Sequence, residues 1–177
     1  MQYMMISKGR NRLVFIFPSL GLALKFPLIH VVHAVRQFAA YGFHNSFPKK
    51  MKTIPEHLFK GIGDNWREFR FYIKTRHAFC QPTYFSLFGL VNVQRAGRHC
   101  GLPMENLWQE IITVTSGVAS VDAHHFSNPL NFCHKGGHLR ILDYGHLKTQ
   151  AIIRQYGDTL ANCYHGKCIV DLEETTR

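Results

Sequence analysis

The stretch HKGGHLRILDYGHLKTQ, residues 134–150, sets a turn-prone Gly-Gly before an apolar run (Leu139, Ile141, Leu142), then an acid, an aromatic and a glycine. An aspartate at that place, Asp143, either caps a turn or holds a metal ion against a phosphate. The second use belongs to phosphoryl transfer, which asks little covalent chemistry of a protein. It needs a lysine on the phosphates, carboxylate or amide ligands for Mg²⁺, and a group that orients the nucleophile. Those parts must arrive from separate elements in a set order. Soft metal ligands occur elsewhere: Cys163-Tyr-His-Gly-Lys-Cys168 could supply three, but no second Cys/His pair follows at finger-like spacing. The His124-His125 pair, with His134 or His138, is another metal candidate whose spacing fits no helix face or finger motif.

The elements that must position such residues can be read from patterning. MQYMMIS, the polar turn KGRNR and the hairpin LVFIF-PSLG-LALKF predict three short strands in a row. Leu28 to about Tyr41 permits a helix, and NSFPKKMKTIP, residues 45–55, is a basic, Pro-broken connection. Asp64 reads as the N-cap of a helix reaching Thr75, with Trp66, Phe69 and Ile73 on one apolar stripe. Residues 83–94 (TYFSLFGLVNVQ), with Gly89 at the centre, suggest one bulged strand or two short ones. Pro103 can open a helix through Thr115 that Gly117 ends. The polar segment SVDAHHFSNPLNF and the strand HLRIL follow, and residues 146–177 suggest a helix or two and a polar tail. The order predicts an α+β fold with sheet and helices segregated along the chain.

A chain of 177 residues, 46% hydrophobic and without repeats or low-complexity tracts, suits a single globular domain and excludes a disordered polymer. Lys plus Arg number 21 against 11 Asp plus Glu, a formal net charge of +10, and 12 histidines add to it in mild acid. Polyanions are the favoured partners: nucleotide phosphates, nucleic acid or an anionic membrane surface. The absence of a long Lys/Arg run weighs against nucleic acid. Five cysteines (Cys80, Cys100, Cys133, Cys163, Cys168), an odd number without framework spacing, point to a reducing, cytoplasmic compartment. The apolar run LVFIFPSLGLAL after Lys8, Arg10 and Arg12 has the flanks of a signal peptide but no small-x-small cleavage site. At twelve residues, broken by Pro18 and Gly21, it is short of the roughly twenty that a spanning helix needs.

In order along the chain, ALKF (residues 23–26), NWREFRFY, SVDAHHFSNPLNF and LRILDYG resemble the protein-kinase-like fold, and the resemblance covers about residues 1–146. It implies two lobes, an N-terminal one over 1–96 with an insertion at about 28–60, and a reduced C-terminal one over 97–177. It implies ATP and Mg²⁺ as cofactors. Lys25 takes the place of the phosphate-pairing lysine, Glu68 that of its ionic partner on the following helix, and Asp143 that of the Mg²⁺-binding aspartate of D-F-G. The catalytic loop has two registers. In the preferred one Asp122 is the base, His124 meets the transferring phosphate and Asn128 binds metal, with one residue inserted relative to the family spacing. In the other, Asn128-Pro129-Leu130-Asn131-Phe132 matches the H-P-G-N-F type of loop. Asn131 then binds Mg²⁺, and the base position falls on Phe126, which cannot accept a proton.

The chain departs from the family at the glycine-rich loop, where Gly9 stands alone and Arg10 and Arg12 substitute electrostatically. The 42 residues between Lys25 and Glu68, with their basic insertion, resemble the lipopolysaccharide sugar kinase branch. The 32 residues after Gly145 are too few for the platform on which protein kinases lay a peptide. The leading expectation is an ATP·Mg-dependent phosphotransferase acting on a hydroxyl acceptor: an anionic glycolipid, a small molecule or a protein, with peripheral membrane contact as a further option. The alternatives are a catalytically inactive kinase-like binding module and a basic nucleic-acid-binding protein that uses aromatics beside cations, as in WREFRFYIKTR.

Overall fold

A computed structural model of the chain describes residues 4–9, 11–28, 59–97 and 103–163. The expected helix at 28–41 beyond Leu28, the connection at 45–55, most of the 28–60 insertion, Arg10, Cys100, Cys168 and the polar tail lie outside the described residues. The architecture is α+β. Strands β1 (Met5–Lys8), β2 (Arg12–Phe17), β3 (Leu22–Pro27), β4 (Thr83–Leu87) and β5 (Val91–Arg95) form an antiparallel sheet in the order β1-β2-β3-β5-β4. The β2–β3 hairpin turns through a 3₁₀ segment, Pro18–Leu20, and Gly21 at φ 63°.

The segment around Gly89 forms two strands. Phe88 (φ 48°) and Gly89 (φ 81°) make a two-residue turn, closed by Leu90 N–H donating to the Leu87 carbonyl at 2.8 Å. Both central residues have positive φ, the geometry that matches strand twist in a tight hairpin.

Helix α1 (Lys60–Thr75) packs across β3, β4 and β5. It begins four residues before the expected cap: Phe59 stands at the N-cap, and Asp64 lies inside the helix, paired with Arg67 at 2.5 Å. Gly61 permits that extra turn, since a Cβ there would lie 2.6 Å from the Asn11 carbonyl oxygen. The stripe is also corrected. Trp66 and Phe69 are only half-buried and Ile73 is 41% exposed, while Asp64, Asn65, Glu68 and Phe71 face inward.

The sheet surface beneath α1 is polar to match, with Lys25, Thr83, Ser86, Asn92 and Gln94 all buried. Buried polar groups seek partners, and the side-chain amides of the two asparagines find backbone carbonyls. Asn65 donates to the Gly89 carbonyl at 3.0 Å, and Asn92 donates to the Asn65 carbonyl at 2.8 Å.

Most of the apolar core comes from the second half of the chain, with Phe71, Phe79 and Cys80 added from the first. It is built from α2 (Met104–Val114), α4 (Leu147–Asn162) and the hairpin β6 (Phe132–Lys135) and β7 (His138–Ile141), around Phe79, Leu107, Ile111, Phe132 and Ile153. The run of polar residues ahead of HLRIL therefore ends in a strand, β6, that pairs Phe132 with Ile141 across a Gly136-Gly137 turn. Between α2 and β6 the chain is short-turned: a 3₁₀ segment Val118–Asp122, the four-residue helix α3 (Ala123–Phe126) and a second 3₁₀ turn, Pro129–Asn131. Among the described residues no helix is long and apolar enough to cross a membrane.

Candidate functional site

Strand β3 exchanges partners with β2 and β5 so that Lys25 lies opposite Val14 and Asn92, with its side chain under α1. Its Nζ donates to Glu68 Oε1 at 2.8 Å and to the Leu142 carbonyl at 2.6 Å. Glu68 is fully buried on α1, and its Oε2 accepts from Arg12 Nη1 at 2.7 Å. Arg12, the first residue of β2, also sets Nη2 3.0 Å from Asp143 Oδ1. Two cations and two carboxylates thus meet where the sheet, α1 and the segment after β7 converge. Gln94 braces the junction from β5, donating to the Leu142 carbonyl at 3.1 Å.

The charges in this quartet are mutually dependent. Burial lowers the Lys25 ammonium below its usual range, with Glu68 acting against that and Arg12 with it. Burial also works against charge on Arg12, but Asp143 and Glu68 outweigh it and hold the guanidinium firmly protonated. Burial would raise the Asp143 carboxyl, yet Arg12 and Lys25 bring it below the ordinary carboxylate value. The side chain of Asp143 is 33% exposed, so it is the member of the quartet that a ligand can reach.

Asp143 owes its place to its neighbours. The Tyr144 hydroxyl donates to the Gln81 carbonyl at 2.7 Å and lies 2.8 Å from Thr83 Oγ1, fixing the segment against the start of β4. Gly145 passes so close to α1 that a Cβ would sit 2.3 Å from the Asp64 carbonyl oxygen. Acid, aromatic and glycine therefore each have a separate task.

A second cluster forms around Asp122, at the end of the 3₁₀ segment, whose side chain is 3% exposed. His125 Nδ1 lies 2.8 Å from Oδ1, His146 Nδ1 lies 3.3 Å from Oδ2, and the Thr149 hydroxyl donates to Oδ2. Burial would raise this carboxyl, but the bonds from His125 and Thr149 and the His125 charge drive it well below its usual value. Both oxygens of Asp122 therefore face inward partners. His124 is the exposed member, 78% accessible, with Nδ1 3.5 Å from Asp122 Oδ1. Desolvation against its neighbours and the His125 charge lower its ring below the usual histidine range.

The two asparagines are placed differently. Asn128 caps the Pro129–Asn131 turn, its Oδ1 accepting from Leu130 N–H at 3.0 Å. Asn131 donates from Nδ2 to the His125 carbonyl at 2.9 Å, and its own carbonyl accepts from Leu142 N–H at 2.7 Å, one residue before Asp143. Phe126 is fully buried in the apolar core. The structure thus joins Lys25, Glu68 and Asp143 through Arg12 and the Leu142 carbonyl, sets Asn131 beside them through its backbone, and gathers Asp122 and His124 in a neighbouring histidine cluster.

Residues that sequence reasoning missed are Gln94, His125 as a partner of Asp122, His146 and Thr149. Arg12 was expected to substitute electrostatically for the glycine-loop amides; it is instead buried against Glu68 and Asp143, a placement that had no sequence signal. His134 and His138 do not join the histidine cluster, and His138 instead contacts Asn162 Oδ1 at 2.8 Å. Compared with family models, curated proteins and solved structures, the chain matches none.

Proposed function

We propose that this chain is an ATP·Mg²⁺-dependent phosphotransferase of minimal, atypical kinase-like type, acting on a hydroxyl acceptor. The observation that carries the reading is the buried Lys25–Glu68 ion pair at 2.8 Å, held within one residue of Asp143 by the Lys25 bond to the Leu142 carbonyl. A lysine fixed by a helix carboxylate beside a partly exposed aspartate is the arrangement that phosphate and Mg²⁺ recognition requires. Mg²⁺ prefers oxygen ligands. The Asp143 carboxylate offers one, and Asn131, with Nδ2 committed to a carbonyl, keeps Oδ1 for a second. When bound, Mg²⁺ would neutralise charge on the phosphates. Lys25 would orient the phosphates, and because both oxygens of Asp122, the expected base, are held by His125, His146 and Thr149, the exposed His124 imidazole beside it would take the acceptor proton in its place. The net charge of +10 favours an anionic acceptor.

A second reading, a kinase-like binding module without transfer, is favoured by the inward-facing oxygens of Asp122 and the sealed position of Phe126. Both readings are tested by thermal stability with and without Mg·ATP in wild type, Lys25→Ala and Asp143→Asn, alongside assay of phosphate release. Ligand at a hundred times Kd adds about 2.7 kcal/mol to the native state, a shift of several degrees. A Mg²⁺-dependent shift lost in both variants, with turnover, supports transfer; the shift without turnover supports the binding module. No shift sinks both and leaves nucleic acid as the polyanion to try, with Trp66, Phe69, Arg70 and Lys74 lining an open groove of about 460 Å³ on α1.

A further inference from the structure

The Asp122 cluster carries more than a base requires. Its three groups arrive from three separate elements: Asp122 from the end of the 3₁₀ segment, His125 from α3, and His146 from the residue before α4. Among the described residues they are the one group of His, Cys and acid side chains whose ligand atoms converge, all within 4.8 Å of one another. Each imidazole turns Nδ1 to a different oxygen of one carboxylate, at 2.8 Å and 3.3 Å.

Those spacings fit a shared cation. Ligands about 2.0–2.1 Å from a zinc ion are roughly 2.9–3.4 Å apart across octahedral to tetrahedral angles; the two nitrogen-to-oxygen spacings are near that range, and the two imidazoles, with ligand atoms within 4.8 Å of each other, would draw together on an ion. Thr149, fully buried, donates its hydroxyl to Asp122 Oδ2, the kind of outer bond that orients a ligating carboxylate. The rings of His125 and His146 stack at 5.4 Å with 20° between their planes.

We propose that Asp122, His125 and His146 form a binding site for one divalent transition-metal ion, Zn²⁺ by ligand type, distinct from the Mg²⁺ held by Asp143 in the nucleotide reading. Two imidazoles select against Mg²⁺ and Ca²⁺, which take oxygen donors, and in favour of zinc-like ions. Three protein ligands leave a fourth position for water, and His146, 34% exposed, and His124 mark the side from which it is reached. The ion would pin the 3₁₀ segment and α3 to the start of α4. The inference does not depend on nucleotide binding.

The test uses the full chain, freed of metal by a chelator and titrated with Zn²⁺ against a chromogenic zinc indicator, then with Co²⁺ as a spectroscopic probe. One Zn²⁺ per chain, visible Co²⁺ bands of a four-coordinate nitrogen and oxygen site, and no competition from excess Mg²⁺ are expected. His146→Gln removes a partly exposed ligand and should abolish uptake while the metal-free protein keeps its circular dichroism. Thr149→Val should weaken uptake on the order of 10–100-fold. Lys25→Ala and Asp143→Asn, which test the nucleotide reading, should leave uptake unchanged, so the two proposals fail separately. Absence of uptake by wild type, or equal uptake by His146→Gln, would overturn the assignment.

Discussion

Arg12 Nη2 lies 3.0 Å from Asp143 Oδ1, so an arginine from the second strand rests against the carboxylate that the nucleotide reading gives to Mg²⁺. The same guanidinium holds Glu68, and with Lys25 it balances two acids with two cations in a space of low polarity. Removing one member leaves an uncompensated charge, which for fully buried pairs costs about 3–5 kcal/mol. Because Asp143 keeps a third of its side chain in solvent, Arg12→Met is expected to cost about 2–3 kcal/mol by denaturant unfolding. A loss under about 1 kcal/mol would mean that Lys25 alone satisfies both acids.

Gly145 gives a sharper test of how the aspartate is positioned. A methyl group there would press on the Asp64 carbonyl at 2.3 Å and on Arg12 Nη2 at 2.7 Å, both parts of the site wall. Gly145→Ala should therefore destabilise by about 1–3 kcal/mol, the usual range for overpacking, and should weaken Mg·ATP binding beyond that. Gly136→Ala is the contrasting control. A Cβ there meets nothing within 4 Å, so its cost should be only the backbone strain of φ 59° and ligand binding should be unmoved.

The first hairpin was legible because runs of apolar residues were separated by turn residues, as in LVFIF-PSLG-LALKF, whereas of the Gly136-Gly137 hairpin only the second strand, HLRIL, carried that signal, the first being the mixed run Phe132–Lys135. The α1 stripe was not. Periodicity pointed to Trp66, Phe69 and Ile73 as the buried face, whereas the helix turns Asn65 and Glu68 inward because the sheet beneath offers Lys25, Asn92 and Gln94. A rule that equates apolar with buried fails where an element must deliver charge to a site. The histidine cluster escaped for a different reason. His146 reaches Asp122 across 24 positions of sequence, and only the folding of β6 and β7 brings the two together.

Tyr144 explains why the residue after the aspartate carries a hydroxyl. The side chain is fully buried, and its oxygen serves both the Gln81 carbonyl and Thr83. Burial drives the phenol well above its usual pKa, so it stays neutral and donates. Tyr144→Phe keeps the packing but leaves the Gln81 carbonyl only the long bond from Gln94 Nε2 at 3.4 Å, and should cost about 1–2 kcal/mol. Thr83→Val leaves that main bond intact and should cost less. If the order of the two is reversed, the Thr83 contact is the one that anchors the segment.

The acid limb of stability follows from the two depressed carboxylates, Asp122 and Asp143, and the Asp143 share can be isolated. Burial would raise its carboxyl, but Arg12 and Lys25 hold it below the ordinary carboxylate value in the folded chain. The unfolded chain, with a value of about 3.9, therefore takes up a proton first as pH falls. A depressed native value means that the ionised form favours folding. Its stabilisation is complete above the unfolded value and disappears as pH falls through it toward the native one. In the presence of a chelator, wild-type stability should hold from neutrality to about pH 5 and then fall steadily. Asp143→Asn should begin lower at neutral pH and lose less over that acid range, because one titrating contribution is gone. Parallel curves for the two proteins would show that Arg12 and Lys25 do not stabilise the charged form of Asp143, and that the quartet is held by Glu68 alone.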